Sequence, residues 1–146
     1  IDEGVENGHS ISSVEFSRDE QLALIGRKDG SVVALDLTER PARDLQNDIH
    51  MKNEITSIAI SGDRRLLAVG DRDGILKLWR IDGDSFSEWF QLSNLQSPVR
   101  KLRFSPDESK LYLLCDHERA VRVLHLSNLN SEFEKLGIPT VAGQTR

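Results

Sequence analysis

The sequence has a single cysteine, Cys115. One thiol cannot close a disulfide within the chain, so nothing points to a secreted domain stapled by such bridges. No stretch approaches the roughly 20 apolar residues that cross a bilayer as a helix. The N-terminal residues, IDEGVENG, have neither the basic region nor the apolar region of a signal peptide. The expected setting is intracellular, in the cytoplasm, with no membrane partner. The chain does not begin with Met, which suggests that it starts inside a longer one or was processed.

The motifs of common catalytic sites are missing too. There is no Gly-x-Ser-x-Gly, no phosphate-binding Walker loop and no Gly-x-Gly-x-x-Gly. Cys115-Asp116-His117-Glu118 groups metal-ligand side chains. Yet Cys115 falls on an apolar strand and the next three in a turn, and no second cysteine exists to complete a site. A thiol on a buried strand is also a poor nucleophile. No catalytic residue, metal or cofactor is expected, and the chain reads as a non-enzyme. Basic charge is in short supply: 19 Lys and Arg against 24 Asp and Glu leave a net charge of −5. That balance disfavours wholesale nucleic-acid binding. Residues 97–126 nonetheless carry six Lys or Arg against four acids. Either these are solvated strand charges or they mark a basic face.

What the sequence has is a repeat. Residues 11–37, 55–81 and 99–126 superimpose in their order of apolar and turn residues. Ile11, Ile55 and Val99 stand 44 residues apart, and Val14, Ile58, Leu102 and then Phe16, Ile60, Phe104 keep that spacing. Asp19, Asp63 and Asp107 follow. The third copy is then one residue longer, and the alignment places Leu111 with Leu22 and Leu66. Each copy opens with a short β-branched or aromatic run closed by Ser-Arg-Asp, Ser-Gly-Asp or Ser-Pro-Asp, which is turn chemistry. A nearly continuous apolar run comes next (LALI, LLAV, LYLL), as expected of a strand buried on both faces. Asp29-Gly30 and Asp73-Gly74 then signal tight hairpins into a third strand. Weaker fourth strands are expected near 43–46, 87–92 and 132–136.

These segments resemble WD40 repeats, which run about 40–45 residues and fold as four-stranded propeller blades. Phe104-Ser105-Pro106-Asp107 matches the family's first-strand ending in full, and Phe16-Ser17-Arg18-Asp19 nearly does. Asp29-Gly30 and Asp73-Gly74 match its turn, and Trp79 matches its tryptophan, with Arg80 in place of the following aspartate. The resemblance covers roughly residues 9–136. It implies an all-β chain of three antiparallel WD40-like blades, at 9–50, 51–96 and 97–136, between connectors at 1–8 and 137–146. Propellers close with four to eight blades, so three form an incomplete ring. The rest would come from further blades of the same protein, or from a second copy closing six.

In the family a His, a Ser or Thr, the turn Asp and the Trp form a hydrogen-bonded network within each blade. The resemblance implies structural roles for Asp29 in the first blade and for His50, Asp73 and Trp79 in the second. Trp79 is expected to be buried with its indole N–H bonded. Arg27 and Asp71 stand where the Ser or Thr would be. Gly8-His9 lies two residues nearer Ile11 than usual. Cys115, Glu118 and Arg119 stand for the Gly, Asp and Gly of the third turn.

The family also meets its partners on the face that carries the turns between strands two and three and the loops leading into strand one. By position these are Lys28, Arg72 and His117, with Ser12, Thr56 and Arg100 beside the leading apolar residues. Glu54 is the only acid near them. Such a face would suit an acidic or phosphorylated peptide, because Arg and Lys form charge-assisted bonds to those anions; the alternative is ordinary solvated turn residues. Trp89 and Phe90 are either a partner hot spot, or rim packing or a contact to the preceding blade. The function expected is a protein–protein interaction scaffold, and the alternative is a regulatory or sensory propeller domain attached to an enzyme in a longer chain.

Overall fold

The structure is a computed structural model that describes residues 10–127. Its first blade is a four-stranded antiparallel meander of β1 (Ile11–Phe16), β2 (Leu22–Arg27), β3 (Val32–Asp36) and β4 (Arg43–Leu45). The second repeats it with β5 (Ile55–Ile60), β6 (Leu66–Asp71), β7 (Leu76–Asp82) and β8 (Ser85–Leu92). The third comprises β9 (Val99–Phe104), β10 (Lys110–Cys115) and β11 (Arg122–His125). The fourth strand expected near 132–136 lies outside the described residues. First strands sit side by side along the arc, β1 against β5 and β5 against β9.

One local device closes the first hairpin of every blade. Ser17 Oγ donates to Asp19 Oδ1 at 2.6 Å, and the same carboxylate oxygen accepts from Gln21 N at 3.0 Å. Ser61 with Asp63 and Ser105 with Asp107 repeat it at 2.7 and 2.8 Å. These bonds hold Glu20, Arg64 and Glu108 at φ of 61°, 60° and 63°, a conformation that non-glycine residues rarely adopt.

The turns also settle the alignment of the third copy. Ser17 N, Ser61 N and Ser105 N donate to the carbonyls of Leu22, Leu66 and Lys110. Lys110, not Leu111, is therefore the counterpart of Leu22 and Leu66. The extra residue falls in the next turn, between β10 and β11. Leu114 then takes the place of Gly26 and Gly70, and Cys115 that of Arg27 and Asp71. The sequence alignment is one residue out here because Leu111 continues the apolar pattern that Lys110 breaks.

Apolar side chains form two layers, one at each junction between blades. Leu22, Leu24 and Ala34 of the first blade meet Ile55, Val69 and Trp79 of the second. Ala68, Leu76 and Leu78 on the second blade's other side meet Val99, Leu102 and Leu113 of the third. The middle blade is thus covered on both sides, and β6 is buried along nearly its whole length. On β10, buried Leu111, Leu113 and Cys115 alternate with half-buried Lys110, Tyr112 and Leu114. Among the described residues this strand has a neighbouring blade on one side only. The first blade is open on its other side: Ile11, Val14 and Phe16 are 60%, 45% and 54% exposed, whereas Ile55 and Ile58 are 0% and 5%.

Candidate interaction surface

The turns between second and third strands and the loops leading into first strands do lie together. Lys28 N donates to Ser10 O at 2.9 Å, Arg72 N to Glu54 O at 3.0 Å and Asp116 N to Pro98 O at 2.9 Å. Repetition of this bond puts the six residues singled out above at one end of the three blades. Lys28, Arg72, Arg100 and His117 are exposed there.

The charge of this end is partly compensated. Arg72 pairs with Glu54 at 2.8 Å and Arg100 with Asp116 at 3.0 Å. By the hydrogen-bond register, Asp116 and not His117 is the counterpart of Lys28 and Arg72. His117 stands at the turn acid's place with φ of 66°, in a turn where the other blades use Gly30 and Gly74 at 89° and 84°. Thr56 does not face a partner with a free hydroxyl. Its Oγ1 donates to Gly70 O at 3.2 Å and, across the blade junction, to Val99 O at 2.5 Å. Ser12, its counterpart, has a buried Oγ without a hydrogen bond.

Two structural expectations need correction. His50 is exposed, and its carbonyl accepts from Lys77 Nζ at 3.3 Å. The neighbouring Met51 is the buried residue, with its N–H bonded to Gly30 O. The side chain that reaches Asp73 is Asn53, whose Nδ2 donates to Asp73 Oδ2 at 2.6 Å. Trp79 is only 2% exposed, as expected, but its indole N–H has no hydrogen-bond partner among the described residues. Asp29 Oδ1 accepts from the N–H and hydroxyl of Ser31 at 3.0 and 2.6 Å, holding the first hairpin turn.

Asp71 occupies the Ser/Thr place of the second blade. It is fully buried, and its Oδ1 accepts from Asp73 N and Ile75 N at 2.9 and 3.0 Å while Oδ2 has no partner. Burial raises its pKa above the ordinary carboxylate value. Trp89 and Phe90 are 7% and 0% exposed and packed into the layer between the second and third blades. Arg80 lies over the Trp89 ring at 4.6 Å. These aromatics are junction packing, not an exposed hot spot. Burial, chiefly, also raises the Cys115 thiol pKa. Among the described residues, no cluster of three or more His, Cys, Asp or Glu is placed to hold a metal ion, and no helix is long and apolar enough to cross a membrane.

Three antiparallel meanders stacked as radial blades define the β-propeller class. The sequence matches the WD domain, G-beta repeat family over residues 3–34 and 45–80, and the chain is a WD40-repeat β-propeller chain. It is 31% identical over 112 residues to eukaryotic translation initiation factor 3 subunit I of Debaryomyces hansenii, spanning 75% of this chain and 30% of that relative. Among solved structures it is similar to the WD40 repeats of RRP9 (TM-score 0.70, 22% identity) and to U3-55K (TM-score 0.71, 21% identity). Each likeness covers 85% of this chain and 38% of the other. At that identity the two structures speak to the fold alone.

Sequence reasoning missed the sides of the outer blades. The signal was there: Lys110 interrupts the apolar run of the third copy, and Leu114 stands where each of the other two copies has a glycine, Gly26 or Gly70.

Proposed function

We propose that the chain is one part of a larger WD40 propeller and serves as a protein-interaction scaffold, without catalysis of its own. The uncovered side of the first blade carries this reading. Ile11, Val14 and Phe16 are exposed at positions whose counterparts are buried at a blade junction, and repeat architectures cover such faces with a neighbouring repeat or a cap. The chain spans about a third of the length of its relatives and structural neighbours, which fits further blades in the same protein. The relative from Debaryomyces hansenii is by name a subunit of a translation factor, which supports a place in an assembly and a cytoplasmic setting.

The surface we assign to a partner is the end that carries Lys28, Arg72, Arg100, His117, Ser12 and Thr56, and the partner an acidic or phosphorylated peptide. Its anions would take over Arg72 and Arg100 from Glu54 and Asp116. The test replaces Lys28, Arg72 and Arg100 together with Ala in the full natural protein. Affinity for the partner it copurifies with should fall, and so should the salt dependence of binding. Unchanged affinity and unchanged salt dependence would move the interface elsewhere.

A further inference from the structure

The first strands of the three blades form the inner edge of the arc, β1 against β5 and β5 against β9. The repeat puts Ser13, Ser57 and Lys101 at one level of that edge and Glu15, Ala59 and Arg103 at the next. Arg18, Gly62 and Pro106 follow at equivalent places in the turns. The middle blade supplies only small residues to these levels: Ser57, Ala59 and Gly62. Large charged residues stand on either side of it, Glu15 and Arg18 on the first blade and Lys101 and Arg103 on the third.

A hollow results. Glu15, Arg18, Ala59, Gly62, Lys101 and Arg103 line one cavity of about 320 Å³. Arg18 leans over the second blade, and a Cβ at Gly62 would lie 2.5 Å from its Cζ. Lys101 acts on Glu15 across the width of that blade. The cavity lies toward the end with the Ser-x-Asp turns, away from the end that carries Lys28, Arg72 and Arg100. Closing the ring keeps it accessible. Further blades would stack on the open sides of the first and third, whereas the inner edges of all blades face a common channel.

The charge of the hollow is unbalanced. Arg18, Lys101 and Arg103 are exposed, and none is in an ion pair with a described residue. Glu108 attracts Arg18 only from beyond ion-pair distance. Against these three cations the cavity sets one carboxylate, Glu15. It is half-buried, and burial, chiefly, raises its pKa above the ordinary value, with Lys101 acting in the opposite direction. A carboxyl short of water gains from a hydrogen-bond donor. Three cations together favour an anion with several oxygens, as phosphate has. The volume is at the lower end of the roughly 300–1,000 Å³ of small-molecule pockets.

We propose that this hollow binds a small phosphate ester that also carries hydroxyl groups. Arg18, Lys101 and Arg103 take the phosphate oxygens, and Glu15 accepts from a hydroxyl. The site goes beyond the scaffold reading, because it gives the same protein a small-molecule ligand on its channel wall, away from the partner end.

The test is isothermal titration calorimetry of glucose 6-phosphate into the full natural protein. Glucose 6-phosphate should bind, inorganic phosphate more weakly and glucose not at all. Added salt should weaken binding of the ester. Exchanging Arg18, Lys101 and Arg103 together for Gln should weaken it at least about tenfold, the scale of a lost hydrogen bond between charged groups. Arg103→Gln alone should weaken it in the same direction, and supplies the reading should the triple exchange disturb the fold, which circular dichroism checks. Glu15→Ala should abolish the ester's advantage over inorganic phosphate and leave inorganic phosphate bound. Absence of ester binding, or binding that the Gln variants leave unchanged, would overturn the proposal. So would equal affinity for the ester and inorganic phosphate in the natural protein, or an advantage of the ester that survives Glu15→Ala.

Discussion

Gly70 of the second blade sits so close to Val99 of the third that a Cβ there would lie 2.5 Å from the valine's Cβ and Cγ1. This contact sets the spacing of the junction. Replacing Gly70 with Ala should cost roughly 1–3 kcal/mol, the usual penalty of overpacking a filled core. Leu114→Ala at the equivalent place on the open side should cost less than about 1 kcal/mol. Urea denaturation of the two variants distinguishes them, and equal losses would mean that the third blade's open side is packed like a junction.

Trp79 is buried in the layer between the first and second blades. Its contribution is packing, since the expected indole bond is not made to any described residue. Trp79→Ala should destabilise the protein by roughly 3–5 kcal/mol. Trp79→Phe, which keeps an aromatic ring and lacks only the N–H and part of the area, should cost less than half as much. Near-equal losses would restore a role for the indole N–H.

Asp107 accepts from the hydroxyls of Ser105 and Ser109 at 2.8 Å and from Ser109 N at 3.1 Å. These bonds, led by that of Ser105, hold its carboxyl down to about 2, against an ordinary value of 3.8. A depressed folded-state pKa stabilises the fold above the unfolded value, and that contribution is lost as pH falls from 3.8 through 2. Carboxyl NMR titration should place the Asp107 midpoint near 2, and Ser105→Ala should move it upward. An unmoved midpoint would show that the serine does not hold the carboxylate.

Asp71 works in the opposite sense. Its raised folded-state pKa means that folding favours the protonated acid, so its contribution is fully present below pH 3.8 and lost as pH rises through the folded value. At neutral pH a buried charge with one unpartnered oxygen is left behind. Asp71→Asn keeps the acceptor for Asp73 N and Ile75 N and removes that charge. Thermal denaturation at neutral pH should show a gain of roughly 1 kcal/mol, shrinking as the pH is lowered toward 4. A loss at neutral pH would mean that the charge itself holds the turn.

The sequence by itself determined what is local and periodic. Ser-x-Asp turns, Asp-Gly hairpins and apolar runs are decided within a few residues, so the first strands at Ile11, Ile55 and Val99 and the first two blades could be read from them. The family resemblance rested on the same residues. Tertiary structure decided whatever depends on a neighbouring blade or on register. Lys110 aligns with Leu66 because backbone hydrogen bonds count residues and not hydrophobicity. Met51, one residue beyond His50, is buried because its N–H is the one that meets Gly30 O. The sequence left Trp89 and Phe90 open between a partner hot spot, rim packing and a contact to the preceding blade, and the structure packs them against the following one. The charge of this end of the blades could be counted in the sequence, but not its cancellation, because the pairing of Arg100 with Asp116 joins a residue of β9 to one in the turn after β10. The two open sides differ for the same reason. A leucine or an isoleucine acquires its meaning from whether another blade stands against it, and that is a property of the packed arc.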